Sequence, residues 1–490
     1  MTIDRWVAGH AASRPDHPAL IFAGETWTYA DFAARIDAKA EELVAAGLER
    51  GDRVAWYGMN RPEVFMLLFA CARIGAVLAP LNWRLAAAEV SSIVADCAPK
   101  LLIYDDHFAH PAQALTSLGR TVVHWRDPVP AAAPADRSAA PSTAVETDPL
   151  LIVYTSGSTG RPKGVVLAQT ALIANARMSV EAHGLTMDAR VLNVLPLFHV
   201  GGLNILPSPA FFLGATVLLH EKFEPEAALA ALTSGVTHAI TVPTVLQAIM
   251  AAPGWRDADF TALRSLTIGS TDVPRDLIDA VHARGVPLIQ IYGATETCPL
   301  AIYQRPDDAM ATAGSIGRVG SECSVRLVKS DGTDAAVGEA GEIWVKGDNV
   351  LTAYWRNEAE TAKALTDGWF HTGDVAEVDE DGLFWFADRI KHVVISGGEN
   401  IYPAELERVL RPHPKIAEVA VVGQLDPKWG EIPVAVVVPK DKLRASEVYA
   451  AFNGVLARYK HPRNVIFVDA LPRNAMGKVV AADVRAMISG

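Results

Sequence analysis

Cysteine is scarce: four residues in 490, at positions 71, 97, 298 and 323. None stands in a Cys-x-x-Cys pair or a metal-ligand spacing, so a disulfide framework and a structural zinc site are excluded and reduced, mostly buried thiols are expected. An unbroken apolar run of membrane length is missing as well. The longest, Val64–Leu81, is interrupted by Arg73, Gly75 and Pro80 and reads as a buried helix followed by a strand. Basic charge is in deficit, 44 Lys and Arg against 56 Asp and Glu, which argues against a nucleic-acid binder. Met1–Leu20 carries Asp4, Arg5, His10, Arg14, Asp16 and His17 where a signal peptide would be apolar. A cytoplasmic protein without a membrane span is expected. No GxGxxG turn opens a helix after a strand, so a dehydrogenase reading fails.

What is present is enough for a large interior. Half the residues are hydrophobic and one fifth charged, and a chain this long splits into two or three packed units. The expected class is α/β. Thr28–Ala46 keeps helical spacing, Asp52–Tyr57 reads as a strand, and Asn60-Arg61-Pro62-Glu63 caps a helix that ends near Gly75. Such alternation implies a largely parallel sheet covered by helices. Residues 127–149, rich in Ala, Pro and Ser, read as an exposed connector. The tail differs: His392–Ser396, Ala417–Val422, Ile432–Val438 and Val465–Val468 are strand-like, while Pro403–Arg411 and Ser446–Ala457 are helical. This gives an N-terminal part at 1–388, a crossing at 389–391 and a small α+β domain at 392–490. From Asp388 onward 15 basic residues face 11 acidic ones, whereas the preceding 387 residues hold 29 against 45. A cationic cap over an anionic ligand fits that asymmetry.

The sharpest local signal is Tyr154-Thr-Ser-Gly-Ser-Thr-Gly-Arg-Pro-Lys-Gly164, directly after the apolar run Leu150–Val153. Glycines admit a ligand close to the backbone, hydroxyls and amides donate to phosphate oxygens, and Lys163 adds charge. It is not a Walker A loop, because Pro162-Lys163-Gly164 stands where Gly-Lys-Ser/Thr would be needed. A plain surface linker is the bland alternative; the abutting strand and the terminal lysine favour phosphate.

With this loop come Pro196-Leu-Phe-His-Val200, Tyr292-Gly-Ala-Thr-Glu-Thr297, Gly341-Glu-Ile343, Gly368-Trp-Phe-His-Thr-Gly-Asp374, Asp388-Arg-Ile-Lys391, Ser396-Gly-Gly-Glu-Asn-Ile-Tyr-Pro403 and Arg473-Asn-Ala-Met-Gly-Lys478. In that order they resemble the adenylate-forming enzymes, the superfamily of acyl-CoA synthetases, luciferases and peptide-synthetase adenylation domains. The resemblance covers nearly the whole chain. It implies a large N-terminal region of packed sheets and helices, a small mobile C-terminal domain, and the cofactors ATP, Mg2+ and coenzyme A. A carboxylate is a poor electrophile; ATP would convert it to an acyl-AMP, and CoA thiol would then displace AMP. Positioning and charge neutralisation carry such a step.

By resemblance, Thr155, Ser156, Gly157, Ser158, Thr159, Gly160 and Lys163 hold the β- and γ-phosphates. Tyr292, Gly293 and Ala294, with Gly269 and Ser270, lie against the nucleotide; Thr295 donates to the α-phosphate and Glu296 binds magnesium. Asp374, at the end of a loop, accepts from the ribose hydroxyls, Arg389 adds a contact nearby, and Lys478 bridges carboxylate and α-phosphate. Lys391 is the hinge, and Gly397 and Gly398 face the pantetheine arm of CoA. Without the ordered set, Tyr292-Gly293 would be only a strand end, Gly373-Asp374 a turn, and Lys478 a solvated charge.

The acyl pocket is assigned by the same resemblance to Phe198, His199, Gly202, Asn204, Val242, Thr271, Cys298 and Pro299. Amino-acid-activating relatives usually carry Asp where His199 stands, so a plain carboxylic acid is favoured over an amino acid. No cationic seat for a second carboxylate is evident. Fatty and aryl acids stay level, and the pattern, including Pro80-Leu-Asn-Trp-Arg-Leu85, is closest to bacterial fatty-acyl and feruloyl-type CoA ligases. Two alternatives remain open: transfer of the acyl group to a carrier protein, and a non-catalytic nucleotide-binding relative. A homodimer is compatible with the resemblance.

Overall fold

A computed structural model describes residues 2–131, 144–155, 162–269, 273–389, 392–396, 399–427, 429–453, 455–456, 458–474 and 477–488. The chain divides into two compact units. The first is residues 1–325 with 345–371, and the second is 326–344 with 372–490.

The first unit holds two α/β sheets. One has nine strands, whose central members run parallel in the order Leu288–Tyr292, Ser265–Gly269, His238–Thr241, Arg190–Asn193, Thr216–Leu219 and Pro18–Phe22. Short antiparallel strands close both edges. The other sheet has seven strands, with Pro149–Thr155, Val77–Pro80, Arg53–Tyr57, Leu101–Tyr104 and Thr121–His124 parallel. Lys163–Ala168 and Ala353–Tyr354 are added antiparallel beyond Pro149–Thr155.

Helix Tyr29–Ala45 starts as its sequence dictates. Thr28 and Asp31 form a reciprocal capping box, and Tyr29, Phe32, Ile36, Ala40 and Leu43 point inward. Helix Pro62–Ile74 has proline in its first turn and Gly75 in a left-handed C-cap at φ 74°. Its buried Phe65 and Phe69 meet Phe211 edge-on at 5.1 and 5.8 Å, each burial worth roughly 1.5–3 kcal/mol. Among the described residues no helix is long and apolar enough to cross a membrane.

In the second unit, Trp369–Val378 pairs with Phe384–Arg389 from Asp374↔Arg389 through Val378↔Phe384. A separate sheet orders Glu399–Ile401, Val394–Ser396, Gly430–Pro439 and Ile416–Asp426, with Asn464–Phe467 added in parallel to Gly430–Pro439.

Several expectations change on contact with the structure. Within the stretch Asn60-Arg61-Pro62-Glu63 the N-cap residue is Arg61, and it makes no side-chain cap bond. Asp374 lies inside strand Trp369–Val378 rather than at a loop end. The helix expected over Ser446–Ala457 spans only Ala445–Ala450. Within the connector, buried Val129 donates its backbone N–H to Glu42 and buried Asp148 accepts from Arg50 at 3.0 Å, so the described ends of 127–149 are tied down. The second unit takes in 326–344 and 372–388 besides the tail.

Candidate active site

Strand ends organise the first unit's site. Arg190–Asn193, His238–Thr241, Ser265–Gly269 and Leu288–Tyr292 are neighbouring parallel strands, so their carboxyl ends share one edge. Just beyond or at those ends stand Phe198 and His199, Val242, Gly269, and Tyr292 through Glu296. In open α/β sheets ligands bind outside that edge. The seven-stranded sheet contributes its own carboxyl ends at Tyr57, Pro80, Tyr104 and Thr155, with Trp83 and Phe108 in the segments that follow Pro80 and Tyr104. Trp83 meets Phe198 edge-on at 5.9 Å, which brings the two edges together. Ser156–Gly160, Ser270, Thr271, Lys391, Gly397 and Gly398 lie outside the described residues.

Lys163 opens the strand Lys163–Ala168, with Thr155 as its antiparallel partner. Its ammonium pairs with Glu360 and stands 5.4 Å from the centroid of the Tyr354 ring. That bond holds the Glu360 carboxyl below its ordinary range. The Tyr354 hydroxyl in turn donates to Glu296 Oε1 at 2.9 Å. Burial first, and then the Glu296 charge, raise the pKa of Tyr354, so it stays a protonated donor.

The turn carrying Glu296 is tightly built. A Cβ on Gly293 would fall 1.5 Å from the Pro299 carbonyl oxygen, so close backbone approach explains this glycine. Buried Asn349 donates to the carbonyls of Thr297 and Leu300 at 3.3 and 2.7 Å, and Leu351 N–H donates to Glu296 O at 2.7 Å. Thr295 and Glu296 open a single 3-10 turn that ends at Thr297. Among the described residues no three acidic, histidine or cysteine side chains cluster as a metal cage. The chemistry fits magnesium held by one carboxylate plus phosphate oxygens and water.

Beyond the strand Arg190–Asn193, buried Asn60 donates to Leu195 O and His220 O at 2.9 and 3.0 Å and accepts from Leu197 N–H at 2.9 Å, which fixes the chain just before Phe198. Phe198 packs on His199 with ring centroids 4.4 Å apart. Desolvation by the surrounding protein, with the Arg84 charge second, lowers the His199 pKa to about 4, so the imidazole is neutral near pH 7. Arg84 itself lies 5.0 Å from the Trp83 ring and 6.0 Å from that of Phe198, a cation that the sequence reading did not count. Asn204 and Cys298 are fully buried and face each other, Nδ2 to Sγ 3.5 Å. Gly202 packs on backbone, a Cβ there falling 2.3 Å from Pro196 O.

In the second unit, Gly373 N–H donates to Glu342 Oε1 at 2.9 Å, and Asp374 N–H to Thr372 Oγ1 at 3.1 Å. Asp374 is buried and pairs across the ladder with the backbone of Arg389. Buried Asp388 accepts from Ala404 N–H at 2.7 Å, capping helix Pro403–Leu410 from a distance. Lys478 is exposed next to the antiparallel bridge between Arg473 and Val479. Asn474 accepts from its N–H at 3.0 Å, Arg473 donates to Gly477 O at 2.6 Å, and Arg473 pairs with Glu418.

Sequence reasoning missed Tyr354, Glu360 and Asn349, which lie in one segment of ordinary composition, and saw Asn60 only as part of the stretch that opens a helix. Trp83 and Arg84 were visible only as part of a pattern.

A carboxylate and a lysine beside parallel strand ends define an α/β enzyme able to handle phosphate. Sequence comparison agrees. The AMP-binding enzyme family matches residues 7–355, and the AMP-binding enzyme C-terminal domain matches residues 405–478. The chain belongs to the AMP-binding enzyme family. It is 45% identical to the indoleacetate–CoA ligase of Aromatoleum aromaticum, covering 100% of this chain and 98% of that protein. It is 41% identical to a feruloyl-CoA synthase of Amycolatopsis sp, covering 98% of each. The o-succinylbenzoate CoA synthetase of Bacillus subtilis, 31% identical, superposes with a TM-score of 0.87 in complex with its acyl-adenylate, covering 98% of this chain and 97% of that one. In complex with ATP and magnesium the TM-score is 0.86, covering 97% and 98%.

Proposed function

We propose that this protein is an AMP-forming carboxylic acid:CoA ligase whose acid is an aryl-substituted monocarboxylic acid. The reaction is acid plus ATP to acyl-AMP and pyrophosphate, then acyl-AMP plus CoA to acyl-CoA and AMP. ATP with magnesium supplies the leaving group and the charge neutralisation. Glu296 binds the metal and Lys163 the phosphates, as a point charge. Neutral His199 and Phe198 form a wall of the acid's pocket, and Lys478 stabilises negative charge during adenylation.

The observation that carries the aryl reading is the run of rings at the joined strand ends. Tyr57 and Phe108 lie 4.7 Å apart, Phe108 and Trp83 6.2 Å, Trp83 and Phe198 5.9 Å, and Phe198 and His199 4.4 Å. Offset and edge-on ring pairs contribute about 0.5–1.5 kcal/mol each beyond area burial, a gain that an aryl acid shares and an alkyl chain does not. The names of the two relatives above, indoleacetate–CoA ligase and feruloyl-CoA synthase, support the same class.

The test measures AMP release with ATP, Mg2+ and CoA over arylacetic, hydroxycinnamic, benzoic and C6–C16 fatty acids, repeated with a pantetheinylated carrier protein in place of CoA. An aryl acid is expected to give the highest kcat/KM, with CoA the better acceptor. A fatty acid ranking first removes the aryl assignment, carrier preference removes the CoA assignment, and no AMP from any acid removes the ligase.

A further inference from the structure

Tyr354 has no role in the reading above, yet it stands between the two groups that reading places on the triphosphate. It belongs to the short strand Ala353–Tyr354, which pairs with the strand that Lys163 opens: Tyr354 faces Val165 and Ala353 faces Val166. Thr361 Oγ1 accepts from its backbone N–H at 2.9 Å, and Leu351, three residues earlier, donates to Glu296 O. The ring is buried. A tyrosine fixed this firmly by its backbone has little freedom at its hydroxyl, and that hydroxyl donates to Glu296 Oε1 at 2.9 Å. The face of the same ring lies 5.4 Å from the Lys163 ammonium, within cation–π range. Glu360 holds that ammonium as well.

We propose that Tyr354 is a positioning residue for magnesium–nucleotide binding. Its hydroxyl fixes the rotamer of the Glu296 carboxylate, and its ring keeps Lys163 beside that carboxylate. This rests on the ligase reading. A carboxylate that binds a metal is oriented by the donor on its other oxygen, and loss of such a donor typically lowers metal affinity or activity by roughly 10–100-fold. The ring and its packing are untouched by Tyr354→Phe, which removes only the O–H.

The experiment is a calorimetric titration of ATP into the acid-free, full-length enzyme at a series of magnesium concentrations, with thermal midpoints recorded in parallel. Y354F is expected to need about tenfold more magnesium for half-maximal nucleotide affinity, with its midpoint little changed. In the Glu296→Gln background, adding Y354F is expected to change nothing further, because the two act through one contact. Conversion of supplied acyl-AMP and CoA to thioester is expected at the wild-type rate in Y354F. Identical magnesium dependence in Y354F and wild type overturns the assignment, as does an equal loss in both half-reactions with a lowered midpoint, which marks a merely structural tyrosine. Absence of any magnesium-dependent nucleotide binding by the wild-type enzyme instead brings down the ligase reading on which Tyr354 depends.

Discussion

At the scale of single residues, burial decides what each polar group can do. Cys71, Cys97 and Cys298 are buried, and burial pushes the thiols of Cys71 and Cys97 up to about 12, Cys97 with smaller charge contributions, while that of Cys298 rises further. A thiolate, not a thiol, is the nucleophile. Titration of the native protein with a disulfide reagent at pH 8 is therefore expected to leave these three unmodified until denaturant is added; rapid reaction of three thiols would contradict the burial. His199 follows similar logic with the opposite charge. Its pKa of about 4 keeps it neutral from pH 6 to 8. The pH profile of kcat/KM for wild type and for His199→Asn should have the same shape over that range, although the variant is expected to lose affinity for the acid. An ionisation between pH 6 and 7 that vanishes in the variant would show that the imidazole titrates there. Glu296 and Lys163 stand in dense motifs and drew attention in the sequence; the structure adds their shared neighbour Tyr354. Tyr354 and Asn349 were not legible, since hydrogen bonds spanning 52 to 58 residues of chain leave no local pattern.

At the scale of elements, strand boundaries were the most legible feature and caps the least. Leu150–Val153 is the centre of a strand that runs Pro149–Thr155, and Gly75 ends its helix in the left-handed conformation. Asn60 shows why caps mislead: an asparagine before Pro62 fits a capping pattern, but its amide satisfies the chain at Leu195, Leu197 and His220 instead. Buried polar groups go where unpaired partners are most costly. Asn60→Ala leaves the Leu197 N–H and two carbonyls without that partner, and a loss of about 1–3 kcal/mol in urea unfolding is expected, with weaker acid binding through the displaced Phe198. Unchanged stability would mean that water replaces the amide fully. The segment of Lys478 lends itself to a functional test. Lys478→Ala is expected to abolish acyl-AMP formation while conversion of supplied acyl-AMP to thioester proceeds; equal loss of both would remove Lys478 from the adenylation step. The hinge at Lys391, outside the described residues, remains a proposal: Lys391→Pro should block thioester formation and spare adenylation.

For the whole molecule, the α/β class followed from alternation, whereas the change of pattern near residue 390 does not coincide with the compact units, which part after residues 325, 344 and 371. That the second unit also takes in 326–344 and 372–388 was not legible, because pairings such as Asp374↔Arg389 are tertiary facts. Stability against acid is also a property of the whole. His183 and His238 are fully buried, and burial lowers their pKa to about 4 and about 3. Both lie below the ordinary 6.5, so their contribution is complete above pH 6.5 and is lost as pH falls toward 4. Each costs about 1.4 kcal/mol per pH unit in that window. The urea midpoint is expected to fall between pH 6.5 and 5, and to fall less steeply in His183→Asn; a flat profile would mean that these imidazoles are not buried.

The most direct measurement of the central claim is a two-stage single turnover. Enzyme is mixed with ATP, Mg2+ and an aryl acid but no CoA, quenched, and analysed for acyl-AMP; CoA is then added to a parallel sample. The account predicts about one equivalent of enzyme-bound acyl-AMP with matching pyrophosphate, converted to acyl-CoA and AMP once the thiol arrives. Formation of acyl-CoA with no acyl-AMP in the first stage, or with ADP and phosphate in place of AMP and pyrophosphate, would contradict it.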